Sequence, residues 1–413
     1  MVRVAITDVY TPSMRYTRAF REAGHEVIRV QSTDQVPALY RPGLSQAELD
    51  EVFCANLSPT EARARLAELK PVAVLAGGEC GVELADELAE RLGLPGNGTR
   101  LSEARRNKYV QVEAVRARGL RATRQLLVRD ADQLRAWHAD LGRRVVVKPL
   151  RSAGNDGVRF CASPHESVAA YQAILAADTI FSEPNTGAVA QELIVGTEYV
   201  VNTVSWDGQH RVTDVWRYTK LSANQITDRV SAAVSVAPGH SAWPSLTSYA
   251  LEVLEALEIQ YGPAHLEIIL TREGPCLVEL GARLSGADTA YYAALATGSS
   301  QIDWAVQAVT DPARFHARLT APAQLQQHVA MYFLTSPVAG TLVRYPRLDE
   351  VRALPSFHNL VTVVKPGGRL SVTVDDTTEP MMVGLAHPEE SVLERDLLTL
   401  HYLDGDGFYE VGG

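Results

Sequence analysis

Strand-like and helix-like runs alternate over the first hundred residues, and this order restricts the fold more than any other feature of the chain. Residues 2–7, 25–30 and 71–76 read as strands. Residues 13–23, 60–69 and 82–92 have helical spacing, and Gly24 and Gly93 stop two of them. Parallel strands need a crossover, which is usually a helix, so a βαβα order predicts a parallel sheet with helices on both faces. A turn-rich stretch, residues 94–99, leads out of this unit.

With 413 residues the chain is too long for one core. Four regions are expected: 1–100, 101–188, 189–310 and 311–413. The second should hold a helix over 103–117 ended by Gly119, a strand over 125–128, and a helix over 131–141 capped at Asp130. A further helix over 165–176 is announced by Ser163-Pro164. The third is rich in strands, over 189–195, 198–205 and 211–218, with Asp207-Gly208 as a hairpin turn. A helix over 245–257 and two strands over 265–271 and 274–280 follow. Short strands at 327–334, 360–365 and 369–373 fall in the last region.

The formal net charge is −10, from 39 basic and 49 acidic residues, which argues against a nucleic-acid partner. No apolar run approaches the roughly 20 residues that span a bilayer, and the start of the chain reads as a strand, not a secretion signal. Cys54, Cys80, Cys161 and Cys276 are scattered without a CxxC pair, so neither a zinc site nor a disulfide framework is expected. A reducing cytoplasm is the simplest setting.

The chemistry begins at Val145-Val146-Val147-Lys148-Pro149, a strand that runs into Ser152, Ala153, Gly154, Asn155, Asp156 and Gly157. Small residues let backbone N–H groups approach phosphate oxygens, and Lys148 adds a positive charge. It is not a P-loop, because no Gly-Lys-Ser/Thr closes it. Glu267 and Glu279 lie on neighbouring strands around a tight turn, where a hairpin brings two carboxylates side by side. Buried together they need a cation, and magnesium favours such oxygen ligands. The alternative is a solvated pair matched by Lys or Arg. Arg283 follows four positions later, a planar fork for a phosphoryl group or a carboxylate. In Gln191-Glu192-Leu193-Ile194, a strand end could run along a purine edge, with Glu198 on ribose hydroxyls; a plain strand–turn–strand would read the same. Basic residues around Lys108 are unfavourable at a helix start, which an anion would explain; a solvated patch is the alternative.

Taken in order, Asn107-Lys108, Lys148 with its loop, Gln191-Glu192 with Glu198, His265-Leu266-Glu267 and Glu279-Leu280-Gly281-Ala282-Arg283 resemble the ATP-grasp superfamily. The likeness is closest to carboxylate–amine ligases of the L-amino-acid ligase type. It implies an α/β ATP-grasp fold with an N-terminal Rossmann-like pre-ATP-grasp domain, a lid subdomain, a metal-binding core and a small C-terminal α+β extension. It implies ATP with Mg2+, or Mn2+ in its place. Lys108 and Lys148 would touch the phosphates and residues 152–157 would cover them. Gln191, Glu192, Leu193 and Ile194 would line the adenine, with Glu198 on the ribose. Glu267 and Glu279 would hold the metal, and Arg283 would steady an acyl phosphate. The expected reaction is amide formation between a small carboxylate and an amine with release of ADP, with no nucleic acid or membrane involved. A homodimer is common in such ligases.

One departure is Gly281, where many relatives carry an asparagine as a further metal ligand. Amino-acid ligases share the glycine. Competing expectations are a carboxylase or purine-type ligase and a non-catalytic ATP-binding module. The chain shows no sign of a biotin carrier, and both lysines, both glutamates and Arg283 are present. For the substrates, residues 227–240 are expected to face the acceptor pocket, Arg229 to bind a carboxylate and His240 to meet the amine. His265 and Gly286 are further candidates, and Trp216, Tyr218 and Lys220 would flank them.

Overall fold

The computed structural model describes residues 1–10, 13–33, 36–37, 52–53, 58–181, 183–224, 226–405 and 407–412. Strands β1 (Arg3–Thr7), β2 (Glu26–Val30), β3 (Val52–Phe53) and β4 (Ala73–Ala76) form a parallel sheet in the order β3-β2-β1-β4. Helices α1 (Met14–Glu22), α2 (Pro59–Leu69) and α3 (Val82–Leu92) cover it. Alternate residues of β1 point to opposite faces. Val4 and Ile6 meet Tyr16 and Phe20 of α1, while Ala5 meets Leu66 of α2 and Leu88 of α3. Local signals set the helix ends. Ser58 and Glu61 form a reciprocal capping box at the start of α2, and Gly93 stops α3 at φ 66°. Cys80, Cys161 and Cys276 are free thiols, and Cys54 lies outside the described residues.

The expected helix over 103–117 is broken. A 3-10 turn, Glu103–Arg105, precedes α4 (Lys108–Ala117), which starts where the Asn107 side chain accepts from the N–H groups of Tyr109 and Val110. Strands β5 (Gln125–Val128), β6 (Val145–Pro149), β7 (Arg159–Cys161) and β8 (Ala188–Glu192) make an antiparallel sheet in the order β5-β8-β6-β7. Helices α5 (Ala131–Leu141) and α6 (Pro164–Leu175) pack on one face of it through Leu134, Val168 and Ile174, against Val145, Val147 and Ala190. The expected border at 188/189 therefore falls inside a strand, because β8 pairs with both β5 and β6.

Strands β9 (Thr197–Trp206), β10 (Gln209–Ala223), β11 (Ile226–Ser235), β12 (Gly262–Thr271) and β13 (Gly274–Gly281) are followed by β14 (His328–Phe333) and β15 (Gly340–Arg344). After these come β16 (Phe357–Thr362), β17 (Arg369–Leu370), β18 (Met381–His387) and β19 (Glu410–Gly412). Eight of them form one sheet, β13-β12-β9-β10-β11-β14-β18-β16, and β17-β15-β19 form a smaller one. The C-terminal region thus extends the central sheet. Residues 227–235, expected to face a pocket, belong to β11, which lies between β10 and β14, and Asp228, Val230 and Ala233 of it do face one. Helix α7 (Trp243–Ala256) buries Leu246, Ala250 and Val253 against Val201, Leu266 and Ile268 on one face. On the other face α8 (Thr289–Thr297) lies over Val200, Trp216 and Met331. No helix among the described residues is long and apolar enough to cross a membrane.

Candidate active site

A cavity of about 770 Å³ opens between the β5–β8 sheet, the large sheet and the loops that follow β1 and β4. Strand alternation decides what faces it. Val146 and Lys148 of β6, Glu198 and Val200 of β9, Trp216, Tyr218 and Lys220 of β10, and His265, Glu267 and Ile269 of β12 line the space. The intervening Val147, Val201, Leu266 and Ile268 are buried in the cores behind. The size suits a nucleotide with small substrates.

Glu267 and Glu279 are direct cross-strand partners of β12 and β13, as the hairpin spacing predicted. A bulge follows, so that Ile268 pairs with Leu277. Burial, with Glu198 and Glu279 nearby, raises the Glu267 pKa to about 8. Such a carboxylate calls for a cation. Lys108 Nζ supplies one to Glu279, 2.7 Å from Oε1, and also donates to the Ser152 carbonyl at 2.8 Å. Among the described residues no group of three or more His, Cys, Asp and Glu side chains stands ready as a metal cage. Two opposed carboxylates still fit Mg2+, which takes oxygen ligands and shares its remaining positions with phosphates and water. Lys148 is buried, and burial together with Lys108 brings its pKa down to about 8.

In the loop after β6, Ser152, Ala153, Gly154 and Asn155 line the cavity, whereas Asp156 and Gly157 turn away from it. Asp156 accepts from the Ile180 N–H at 2.8 Å. Gly157 sits at φ 69°, where a Cβ would come within 2.7 Å of Pro149 Cγ. Gln191, Glu192, Leu193 and Ile194 line the far end with Phe160 and Leu277. The Glu192 carboxylate is held by Arg124, at 3.0 Å from its N–H and 3.1 Å from its Nε. Glu198 pairs with Lys220 at 2.5 Å, and Lys220 also meets Asp228 at 2.8 Å.

Arg283 ends this row. Its Nε donates to Glu79 Oε2 at 2.8 Å and its Nη1 to the Leu284 carbonyl at 2.7 Å. Nη1 also lies 3.3 Å from His265 Nδ1. Arg283 has only hydrogens to give, so His265 accepts there and carries its own proton on Nε2. Burial and Arg283 lower the His265 pKa to about 3, which leaves the ring neutral. Glu79 was missed in the sequence. It follows β4 in Gly77-Gly78-Glu79, at the carboxyl edge of a parallel sheet, where α/β proteins place ligands; that position was the available signal.

Other expectations are corrected. Arg229 does not line the cavity: it is buried beside β14 and bonded to Glu379 at 2.7 Å and to Thr335 Oγ1 at 3.2 Å. His240 lies in the turn before α7, also outside the cavity lining, with Nδ1 accepting from the Ala242 N–H at 3.1 Å. The basic cluster at Lys108 divides, because Arg105 pairs with buried Asp86 and Arg106 with Glu79. Gly286 does line the cavity.

Residues 141–290 match the ATP-grasp domain family. The chain is 29% identical to dapdiamide A synthase of Enterobacter agglomerans, over 99% of this chain and 97% of that one. Its fold matches an L-amino acid ligase from Bacillus licheniformis with a TM-score of 0.75 at 16% identity, covering 100% and 99% of the two chains. It also matches carboxyaminoimidazole ribonucleotide synthase from Aspergillus clavatus, solved with ATP, with a TM-score of 0.69 at 15% identity over 97% and 98%. ATP-grasp enzymes use ATP and Mg2+.

Proposed function

We propose that this chain, with its ATP-grasp domain and its similarity to dapdiamide A synthase, joins a small carboxylate to an amine, releasing ADP and phosphate, with at least one partner an amino acid. The similarity to dapdiamide A synthase along nearly the whole of both chains supports a role in specialised metabolism. The carrying observation is one cavity that holds the facing Glu267 and Glu279, the lysines Lys108 and Lys148, and an arginine braced by a buried glutamate.

MgATP, when bound, supplies the phosphoryl group that converts the substrate carboxylate into an acyl phosphate. An amine nitrogen then attacks the acyl carbon, phosphate leaves, and the amide remains. Lys108 and Lys148 would neutralise the phosphates, and Glu267 and Glu279 would hold the magnesium. Ser152, Ala153, Gly154 and Asn155 cover the phosphates and exclude water, which would otherwise hydrolyse the activated acid. Leu193, Ile194 and Phe160 flank the base, and Glu198 accepts from the ribose. Arg283, fixed by Glu79, faces the charge that builds on the transferred group.

Net charge suits small-molecule partners over nucleic acid. The cytoplasm is the compartment, without a membrane, and a homodimer is the assembly to look for by sedimentation. The test is ADP release with acid–amine pairs, and the amide identified by mass. Glu279→Ala should lose about a hundredfold or more in turnover. Near wild-type turnover, or ADP release independent of any amine, would overturn the reading.

A further inference from the structure

An amino acid used as the amine carries a carboxylate that must be kept away from the phosphate end, and we infer that Arg15 holds it. This rests on the ligase reading above. Among the described residues, the lysines and arginines lining the cavity are Arg15, Lys108, Lys148, Lys220 and Arg283. Lys108 and Lys148 lie by the Glu267–Glu279 pair, Lys220 is held between Glu198 and Asp228, and Arg283 is tied to Glu79. Arg15, on α1 in the wall built by the N-terminal unit, is instead paired with Asp288.

Its guanidinium already shows how a carboxylate docks there. Nε and Nη2 reach the two oxygens of Asp288 at 2.5 and 2.7 Å, a two-pronged grip, while the fork lies 5.1 Å from the centre of the Tyr291 ring. The Arg15 side chain is 46% exposed and that of Asp288 26%, so both open into the cavity and the pair can part without opening a core. Asp288 follows Ala287, and both have positive φ, at 57° and 52°. This places an acidic side chain on a tight turn beside Gly286, across from Arg15. A substrate carboxylate takes the place of the Asp288 oxygens. Arg15 also sits in the first turn of α1, whose positive end adds to the attraction. The consequence is selectivity for amines with a free carboxylate nearby, over the corresponding amides or esters.

The test uses one acid partner with an amino acid and with the primary amide of that amino acid. The ratio of kcat/KM for the two amines is compared between wild type and Arg15→Gln. That ratio should fall about tenfold or more in Arg15→Gln, through a higher KM for the amino acid. Arg15→Lys should lie between, since it keeps the charge and loses the fork. A ratio within about twofold of wild type, or an equal loss for both amines, overturns the assignment while leaving the ligase reading intact. Weakened MgADP binding by Arg15→Gln in calorimetry also overturns it, since Arg15 would then serve the nucleotide. A wild type that releases no ADP with any pair sinks the ligase reading first, and this assignment with it.

Discussion

Glu79 joins two distant parts of the chain through its two oxygens, one on Arg106 and one on Arg283. Burial alone would raise its pKa, but Arg283 and Arg106 outweigh burial and bring it down to about 2. A depressed carboxylate stabilises the fold above its unfolded value, 4.5, and that contribution is lost as pH falls toward about 2. It is on the order of 3 kcal/mol at neutral pH. In Glu79→Gln the melting temperature should drop at neutral pH and depend less on pH between about 5 and about 3. Parallel melting curves for the two proteins would remove Glu79 from that role. The Glu267–Glu279 pair was legible because a short hairpin and two-residue alternation leave little choice of neighbour. Arg283 was legible as a cation near them. Its brace was not, because Glu79 precedes it by some two hundred positions and no local period connects them.

At the scale of elements, β11 was legible in part: Asp228, Val230 and Ala233 line the cavity, as expected of that stretch, whereas Arg229 does not. The position of β11 between the nucleotide motifs pointed to the pocket, but position alone does not say which of its residues face it. Pairing with β10 and β14 makes β11 a strand, and the arginine inside it is paired with Glu379 from a segment far along the chain. The loop after β6 was better predicted, since its small residues and glycines carry their reason with them. At Gly157 both φ and the nearness of Pro149 exclude a side chain. Gly157→Ala should cost about 1–3 kcal/mol, visible as earlier urea unfolding, and should lower turnover by displacing Ser152 and Ala153. Wild-type behaviour in both measurements would show that the loop adapts at no cost.

For the whole molecule, the decisive feature is one sheet shared by the Glu267–Glu279 hairpin and the C-terminal region. β11 borders β14, and β14 borders β18, so the last quarter of the chain is part of the same slab. Removing residues 319–413 would bare the edge of β11 and the Trp216 and Ala233 face. Such a truncated protein should be insoluble or fail to bind MgADP by calorimetry; a soluble fragment with wild-type affinity would show the C-terminal strands to be dispensable. The alternation of the first hundred residues foretold the N-terminal sheet, yet nothing in the sequence announced that β14, β16 and β18 would join the central one, since sheet order depends on pairings between remote segments. The walls of the cavity include Tyr10 and Met382, which gives the site a birth date in synthesis. At about 10 residues per second, a ribosome makes these two walls roughly half a minute apart. The strands made first must wait through that interval with an open flank. A nascent chain therefore lacks the finished cavity until the segment carrying Met382 has emerged, and the edge of β11 stays unpaired until β14 arrives.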